Sequence, residues 1–311
     1  MPGIGIITNP HSKSNKRNPD RSKLLSYLVG EAGFLETTNN ISDLEKVAQN
    51  FADKDIEYLA INGGDGTISH TISVFIRCYA GKKPLPKILL LRGGTMNVIA
   101  SNLGLSGTPE HILSRIVEAV STGEKVKIKR LSTIEVDGQI GFLYADGTSA
   151  HMLEEFYKKK AGMLRGAYLG LRLTLSCLIR GSFHRRMIQK RAIAFHPDPH
   201  PVVKHDTIGT YASTLARLPL GLPMFGRSIK SGAFFRAISV SMEPYKLVFR
   251  FLPMSLYSKP GQFLGKYNFD AKKLRIVGEK AFRYTLDGEL FTSVNNQVTI
   301  KTGRTLEFVI F

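Results

Sequence analysis

The sequence predicts an α/β domain followed by a mostly-β domain. A chain of 311 residues, 43% of them apolar, is longer than one hydrophobic core usually serves. Up to about Thr122, short apolar runs alternate with longer amphipathic ones; beyond Gly123 strand-like segments rich in Val, Ile, Phe and Tyr take over. The domains are therefore expected over residues 1–123 and 124–311.

In the first domain, Ile4 to Thr8, Phe34 to Thr37, Glu57 to Ile61 and Lys87 to Leu91 read as strands. Asp20 to Ala32, Ile41 to Ala52 and Thr67 to Tyr79 read as the helices between them. Ile88-Leu-Leu-Leu91 is apolar on both faces, as a parallel strand covered by helices must be. In the second domain the strand-like segments are Lys125 to Arg130, Thr133 to Val136, Ile140 to Ala145, Met187 to Phe195, Phe234 to Met242 and Leu274 to Val277. Asp137-Gly138 and Asp287-Gly288 punctuate them as hairpin turns. One helical stretch, Glu154 to Ile179, interrupts this domain, and neither a solenoid period nor a low-complexity tract occurs.

Composition narrows the partners. The 43 Lys and Arg against 25 Asp and Glu leave a net charge of +18, which favours phosphates, anionic lipid surfaces or nucleic acid. Zinc-ligand spacings and ribonucleoprotein motifs are missing and the basic residues spread over both domains, so nucleic acid is not expected. Cys78 and Cys177 both lie in apolar stretches and read as reduced core thiols, which suits a cytoplasmic chain. Residues Met1 to Pro10 lack the basic start of a signal peptide, and Ala161 to Gly181, the most apolar stretch, carries Arg165, Arg172 and Arg180. The expectation is a cytoplasmic protein peripherally associated with membrane.

Three turns carry chemistry. Gly63-Gly64-Asp65-Gly66-Thr67 follows one strand and leads into a helix, so its backbone can approach a polyphosphate under the helix N-terminus. Asp65 is placed to bind Mg²⁺ or accept a proton, and Thr67 to cap the helix and donate to a phosphate oxygen. Arg92-Gly-Gly94-Thr95-Met-Asn97 follows the next strand and opens another helix. Two such turns on successive strands lie side by side at the carboxyl edge of a Rossmann-like parallel sheet. The turn after the first strand offers Asn9, Pro10 and Ser12, of which Asn9 and Ser12 can hold phosphate oxygens. Asp287-Gly-Glu289 recurs far downstream.

In this order, Asn9-Pro10, Gly63 to Thr67, Gly94-Thr-Met-Asn97 and Asp287-Gly-Glu289 resemble the diacylglycerol kinase catalytic-domain family, and the resemblance covers nearly the whole chain, including Phe142-Leu-Tyr-Ala-Asp-Gly147. It implies an ATP site between an α/β domain and a β-sandwich domain, lined by Asn9, the 63–67 loop, Thr95 and Asn97. It further implies that Asp287 and Glu289 come from the second domain, and that Glu289 with Asp65 serves proton removal and Mg²⁺ placement. The implied activity is phosphoryl transfer from Mg-ATP to a hydroxyl of a diacylglycerol- or sphingoid-type lipid. Whether the chain pairs as a homodimer stays open.

The chain departs from the family in places. Val98 stands where many relatives carry Asp, Arg92 replaces a Pro and adds a cation, and Leu131-Ser-Thr133 stands where an Asp is expected. Gly226 to Gly232 contains no carboxylate where relatives have an Asp-rich stretch, so a second, structural metal site is not expected. These departures motivate an alternative, a non-catalytic nucleotide- or lipid-binding protein of the same fold. NAD kinases share the Gly-Gly-Asp-Gly loop, but Asp287-Gly-Glu289 and the basic apolar helix argue against that reading.

The Ala161 to Gly181 stretch brings Arg165, Arg172 and Arg180 within about 80° on a helix. Lys158-Lys-Lys160, Arg185-Arg186 and Lys190-Arg191 flank it. It reads either as an interfacial helix for anionic headgroups or as a core helix with a solvated Arg stripe. The apolar loop Leu218 to Phe225 reads either as lining an acyl pocket or as packing under the β-domain.

Overall fold

The computed structural model describes residues 3–94, 97–159, 162–218, 224–225, 234–243, 245–246, 248–249 and 267–311. The chain divides into two compact units, Met1–Leu131 with Thr305–Phe311, and Ser132–Arg304. The division at Leu131/Ser132 falls within a strand that runs from Lys127 to Val136. The final strand also leaves the second unit and ends in the first, which no local pattern in the sequence announces.

In unit 1 the order is β1 (Gly3–Thr8), α1 (Lys13–Lys16), α2 (Arg21–Val29), β2 (Gly33–Thr37), α3 (Ile41–Asp53), β3 (Ile56–Asn62), α4 (Asp65–Tyr79), β4 (Lys87–Leu90), α5 (Val98–Leu103) and α6 (Pro109–Thr122). The strands pair in parallel in the order β2-β1-β3-β4. Alternation decides which residue meets which helix layer. Ile4 and Ile6 pack with Leu25 and Val29 of α2 and with Ile112, Leu113 and Ile116 of α6. Gly5 points the other way, where a Cβ would lie 2.6 Å from the Phe51 ring, so the missing side chain lets α3 close onto the sheet. Helices start where side chains satisfy their free amides: Asn40 accepts from the Asp43 amide and Thr108 from the His111 amide, with Pro109 in the first turn of α6.

Unit 2 begins within β5 (Lys127–Val136) and continues through β6 (Gln139–Gly141), β7 (Leu143–Asp146), α7 (Thr148–Tyr157), α8 (Met163–Leu178), α9 (Ser182–Met187), β8 (Arg191–Asp198), β9 (Val203–Thr207), β10 (Gly209–Ser213), β11 (Phe235–Val240), β12 (Tyr267–Ala271), β13 (Lys273–Gly278), β14 (Arg283–Leu286) and β15 (Glu289–Thr292) to β16 (Gln297–Ile310). One sheet is antiparallel in the order β12-β11-β10-β7-β14-β15, and β9-β8-β13-β16 forms the other. Inward residues of both, including Tyr144, Phe195, Phe235, Ile276 and Ile300, make one core, as in a β-sandwich. The expected helix Glu154 to Ile179 is two helices, and the strand expected from Met187 to Phe195 begins only at Arg191, because residues 182–187 form α9. Gly162, with φ 174 and ψ 165, starts α8 afresh.

An ion pair between the fully enclosed Asp146 and the partly buried Arg191 ties this sandwich together. Asp146, at 0% exposure, accepts from the Tyr144 hydroxyl (2.8 Å) and the Thr210 amide (2.7 Å), and bonds the Thr210 hydroxyl. Arg191 reaches it at 2.5 Å while its guanidinium lies 3.8 Å over the Phe282 ring. Removing one member of such a pair leaves the other charged and stranded. Arg191→Leu should therefore lower unfolding free energy by about 3–5 kcal/mol, and Asp146→Asn in the same chain should recover most of that loss. Urea denaturation of the single and double variants reads both values, and equal losses would place the energy elsewhere.

Candidate functional site

Because β1, β3 and β4 are neighbours in a parallel sheet, the turns that follow them emerge side by side at its carboxyl edge. Side-chain amides knit the first two turns. Asn9 donates to the Thr67 hydroxyl (2.9 Å) and accepts from the His11 amide (2.8 Å). Asn62, the last residue of β3, donates to the Thr8 hydroxyl (2.9 Å). Asn15 donates to the carbonyls of Asn9 (2.8 Å) and Asn62 (3.2 Å), and its own carbonyl accepts from Arg21, which is paired with Glu110 at 2.6 Å. Asn15, Asn62 and this Arg21–Glu110 pair were not singled out in the sequence. Their signal was only polar residues within or beside apolar runs, which is common. Pro10 occupies the turn itself, and the Ser12 hydroxyl is buried there without a hydrogen-bond partner.

Glycines bring the second and third turns together. A Cβ on Gly94 would stand 2.5 Å from the Gly64 Cα, one on Gly93 would stand 2.5 Å from the Asn62 side-chain oxygen Oδ1, and one on Gly63 would strike Thr67 at 2.5 Å. Gly64 differs. Its backbone, φ −88 and ψ 179, suits any residue, and an added Cβ would meet only the Gly94 Cα, at 3.5 Å. Gly63, Gly93 and Gly94 thus serve turn packing first, whereas Gly64 leaves its side-chain position open. Gly64 is also the N-cap, so α4 starts at Asp65, with Gly66 in its first turn; Thr67, expected as the cap, instead accepts from Asn9.

Asp65 joins the two turns by a charge. Its carboxylate accepts from the Ile99 amide (3.2 Å) at the start of α5. Burial pushes this carboxyl up from the ordinary range, while backbone hydrogen bonds from Val98, Ile99 and Asn97 pull it back down. Asn97, buried and left-handed at φ 47, clips the Gly94 backbone with both ends of its amide, at 3.1 and 3.2 Å. Arg92 is also left-handed at φ 55 and donates to the Leu105 carbonyl at 2.6 Å. Thr95 lies outside the described residues, as do residues 226–232, where no second metal site is expected.

In unit 2, Asp287 and Gly288 form the two-residue turn between β14 and β15, both with positive φ (49 and 92). The Asp287 carboxylate accepts from the amides of Phe142 (3.1 Å) and Leu143 (2.9 Å), which breaks the expected strand Ile140 to Ala145 into β6 and β7. Glu289 follows, exposed, at the start of β15. Asp65 and Asp287 therefore each hold loops in place, and Glu289 is the acid of the three whose side chain faces solvent. Among the described residues no group of three His, Cys, Asp or Glu is assembled as a metal site.

The helix α8 turns Leu169 and Cys177 inward and leaves Leu164, Tyr168, Leu171 and Leu175 exposed, Leu164 at 88%. Its Arg residues are not a plain solvated stripe: Arg165 donates to the Phe156 carbonyl (2.8 Å) and Arg172 lies 4.2 Å over the Phe183 ring. Lys158, Lys159, Arg180, Arg185 and Arg186, all exposed, flank α8 along the chain. Of the Leu218 to Phe225 loop, Leu218, Met224 and Phe225 are described, and they pack into the core beneath α8 and β11. No helix among the described residues is long and apolar enough to cross a membrane.

Residues 4–128 match the family model of the diacylglycerol kinase catalytic domain. No curated protein matches the chain. Among solved structures, a diacylglycerol kinase from Bacillus anthracis str. Sterne is 13% identical, with 100% of this chain and 97% of that chain covered and a TM-score of 0.67. Two further chains from that organism, described as candidate diacylglycerol kinases, are 15% and 16% identical, with TM-scores of 0.74 and 0.68. The first covers 99% of this chain and 95% of its own, the second 99% and 97%. The chain thus matches a lipid kinase family by sequence in its first domain, and shares the fold of these structures over its whole length.

The Asp65 carboxyl gives a pH test. A group whose folded pKa exceeds its unfolded value, here 3.8, contributes stability that is complete below the unfolded pKa and lost as pH rises through the folded one. Asp65→Asn keeps an oxygen for the Ile99 amide but cannot ionise. Wild type should therefore lose stability relative to Asp65→Asn as pH rises through that window, whereas a pH-independent difference would show that burial does not govern this group. Asp65→Ala, which deletes the acceptor, should cost about 1.5–3 kcal/mol at neutral pH.

Proposed function

We propose that this chain is an ATP-dependent lipid kinase, transferring the γ-phosphoryl group of Mg-ATP to a hydroxyl of a diacylglycerol- or sphingoid-type lipid at a membrane surface. The observation that carries the reading is the convergence of three turns on one sheet edge, with Gly64 leaving backbone open above the start of a 15-residue helix. The residues fit a nucleotide. Gly64 offers approach where a side chain would stand, Ser12 has a hydroxyl with an unmet hydrogen bond, and Asn9 is already oriented by Thr67 and His11. Asp65 is the acid that these turns contain. When bound with the nucleotide, Mg²⁺ supplies charge neutralisation on the transferring phosphoryl group; such ions take most of their ligands from phosphates and water, with one or two carboxylates.

The protein's own work is to hold the phosphates, orient the acceptor hydroxyl and remove its proton. We assign proton removal to Glu289, which stands exposed at the start of β15, directly after the Asp287-Gly288 turn. The lipid side of the reaction belongs to α8, whose exposed leucines would enter the acyl region while the exposed Lys and Arg residues that flank it in the chain meet anionic headgroups.

The deciding measurement is labelled-phosphate transfer from Mg-ATP to a panel of lipid alcohols in mixed micelles. Wild type should label one lipid class, and Glu289→Gln should lower kcat by about 10²–10⁴-fold with nucleotide affinity retained. Retained Mg-ATP binding without transfer to any lipid would instead identify a nucleotide- or lipid-binding protein of the same fold. Gly64→Ala separates packing from binding: its melting temperature should stay near wild type while the KM for ATP rises, and an unchanged KM would remove the phosphates from this turn. For the membrane face, Leu171→Asp with Leu175→Asp should abolish sedimentation with phosphatidylglycerol vesicles.

A further inference from the structure

We infer that Tyr157 is a positioning residue: it fixes the hairpin that carries Glu289 to α7 and, through α7, to the lipid-facing helix α8. The inference rests on the lipid-kinase reading and on Glu289 as the proton acceptor. The turn between β14 and β15 has two anchors. The Asp287 carboxylate holds its first residue against the amides of Phe142 and Leu143, and the Tyr157 hydroxyl donates to the carbonyl of its second, Gly288, at 2.9 Å. Glu289 comes next in the chain, so the direction in which its side chain leaves the turn depends on both anchors. The Tyr157 hydroxyl thus bonds the residue directly before Glu289, and burial first and the Glu289 charge second push its ionisation upward.

Tyr157 is the last residue of α7, and the end of that helix is itself tied down. The guanidinium of Arg165, in the first turn of α8, donates to the carbonyls of Phe156 (2.8 Å) and Glu155 (2.5 Å), which a helix end leaves without intrahelical partners. Glu154 pairs with Arg283 at the start of β14 at 2.6 Å. A continuous set of bonds thus runs from α8 through the last turn of α7 to the hairpin, and every member lies within unit 2. The consequence is geometric. An acceptor lipid seated by the exposed face of α8 presents its hydroxyl at a depth fixed by that helix, and the same bonds fix where Glu289 waits for it. Tyr157 is half-exposed, so losing its hydroxyl removes this constraint while the β-sandwich core stays packed.

The test compares wild type, Tyr157→Phe and Glu289→Gln on vesicle-borne acceptor, with hydrogen exchange of the 284–292 segment as a readout that needs no activity. Tyr157→Phe keeps the ring and should melt within about 4 °C of wild type. Exchange across the hairpin should rise, kcat should fall roughly 10- to 100-fold, and the KM for Mg-ATP should stay within about twofold. Wild-type kcat in Tyr157→Phe, with Glu289→Gln inactive, would overturn the inference and leave the kinase reading standing. Faster exchange with unchanged kcat would overturn it as well, reducing Tyr157 to a structural contact. Absence of transfer by wild type would overturn the kinase reading itself, and the inference with it.

Discussion

The contact between Gly64 and Gly94 is the constraint on which the organisation of unit 1 depends. Adjacent parallel strands lie about 4.8 Å apart, so where turns leaving neighbouring strands touch, as these do, the contact leaves little room for a side chain. A Cβ on Gly94 would stand 2.5 Å from the Gly64 Cα, and no rotamer relieves a clash with main chain. Once the turns touch, the groups around them acquire their partners. Asp65 reaches the first amides of α5, Asn97 folds back onto Gly94, and the Asn62 side-chain amide fits against Gly93. Separating the turns would strand a buried carboxylate and two amides together, which makes the arrangement cooperative.

Much of this architecture was legible because its determinants are local. Short continuous apolar runs mark β1, β3 and β4, and Gly-rich turns follow β3 and β4 directly. The roles of the turn residues were harder to read. Asp65 and Asp287 each fall at positions that suit an acid acting on substrate, yet each accepts hydrogen bonds from amides distant in sequence, Ile99 in one case and Phe142 and Leu143 in the other. A carboxylate that holds a loop and one that binds a metal look alike in a single sequence, because only the donors differ. Arg165 shows the same ambiguity: helical spacing put it in a charged stripe, whereas its guanidinium closes the end of the preceding helix.

The two units solve the problem of buried charge differently. Unit 1 places Asp65 near the sheet edge, where backbone amides partly offset the cost of burial. Unit 2 encloses Asp146 fully and surrounds it with an arginine, a phenol and a threonine hydroxyl and amide. The hydrophobic run Phe142 to Ala145 gave no hint that the next residue would be charged and enclosed. Its partner Arg191 lies at the start of β8, on the other sheet of the sandwich, and such pairings follow from topology alone.

The path of β16 has a consequence for the order in which the protein matures. Phe308 sits beside Ile88 as the neighbour of β4, and Phe308 and Val309 are wholly enclosed within unit 1. On the ribosome, residues 1–131 emerge long before this strand and must wait with the outer edge of β4 unpaired. The first unit therefore cannot finish folding until nearly all of the second has been synthesised. During translation, an open parallel edge bordered by Leu89 and Leu91 is the place where a chaperone would find the nascent chain, and where a neighbouring chain could pair in error.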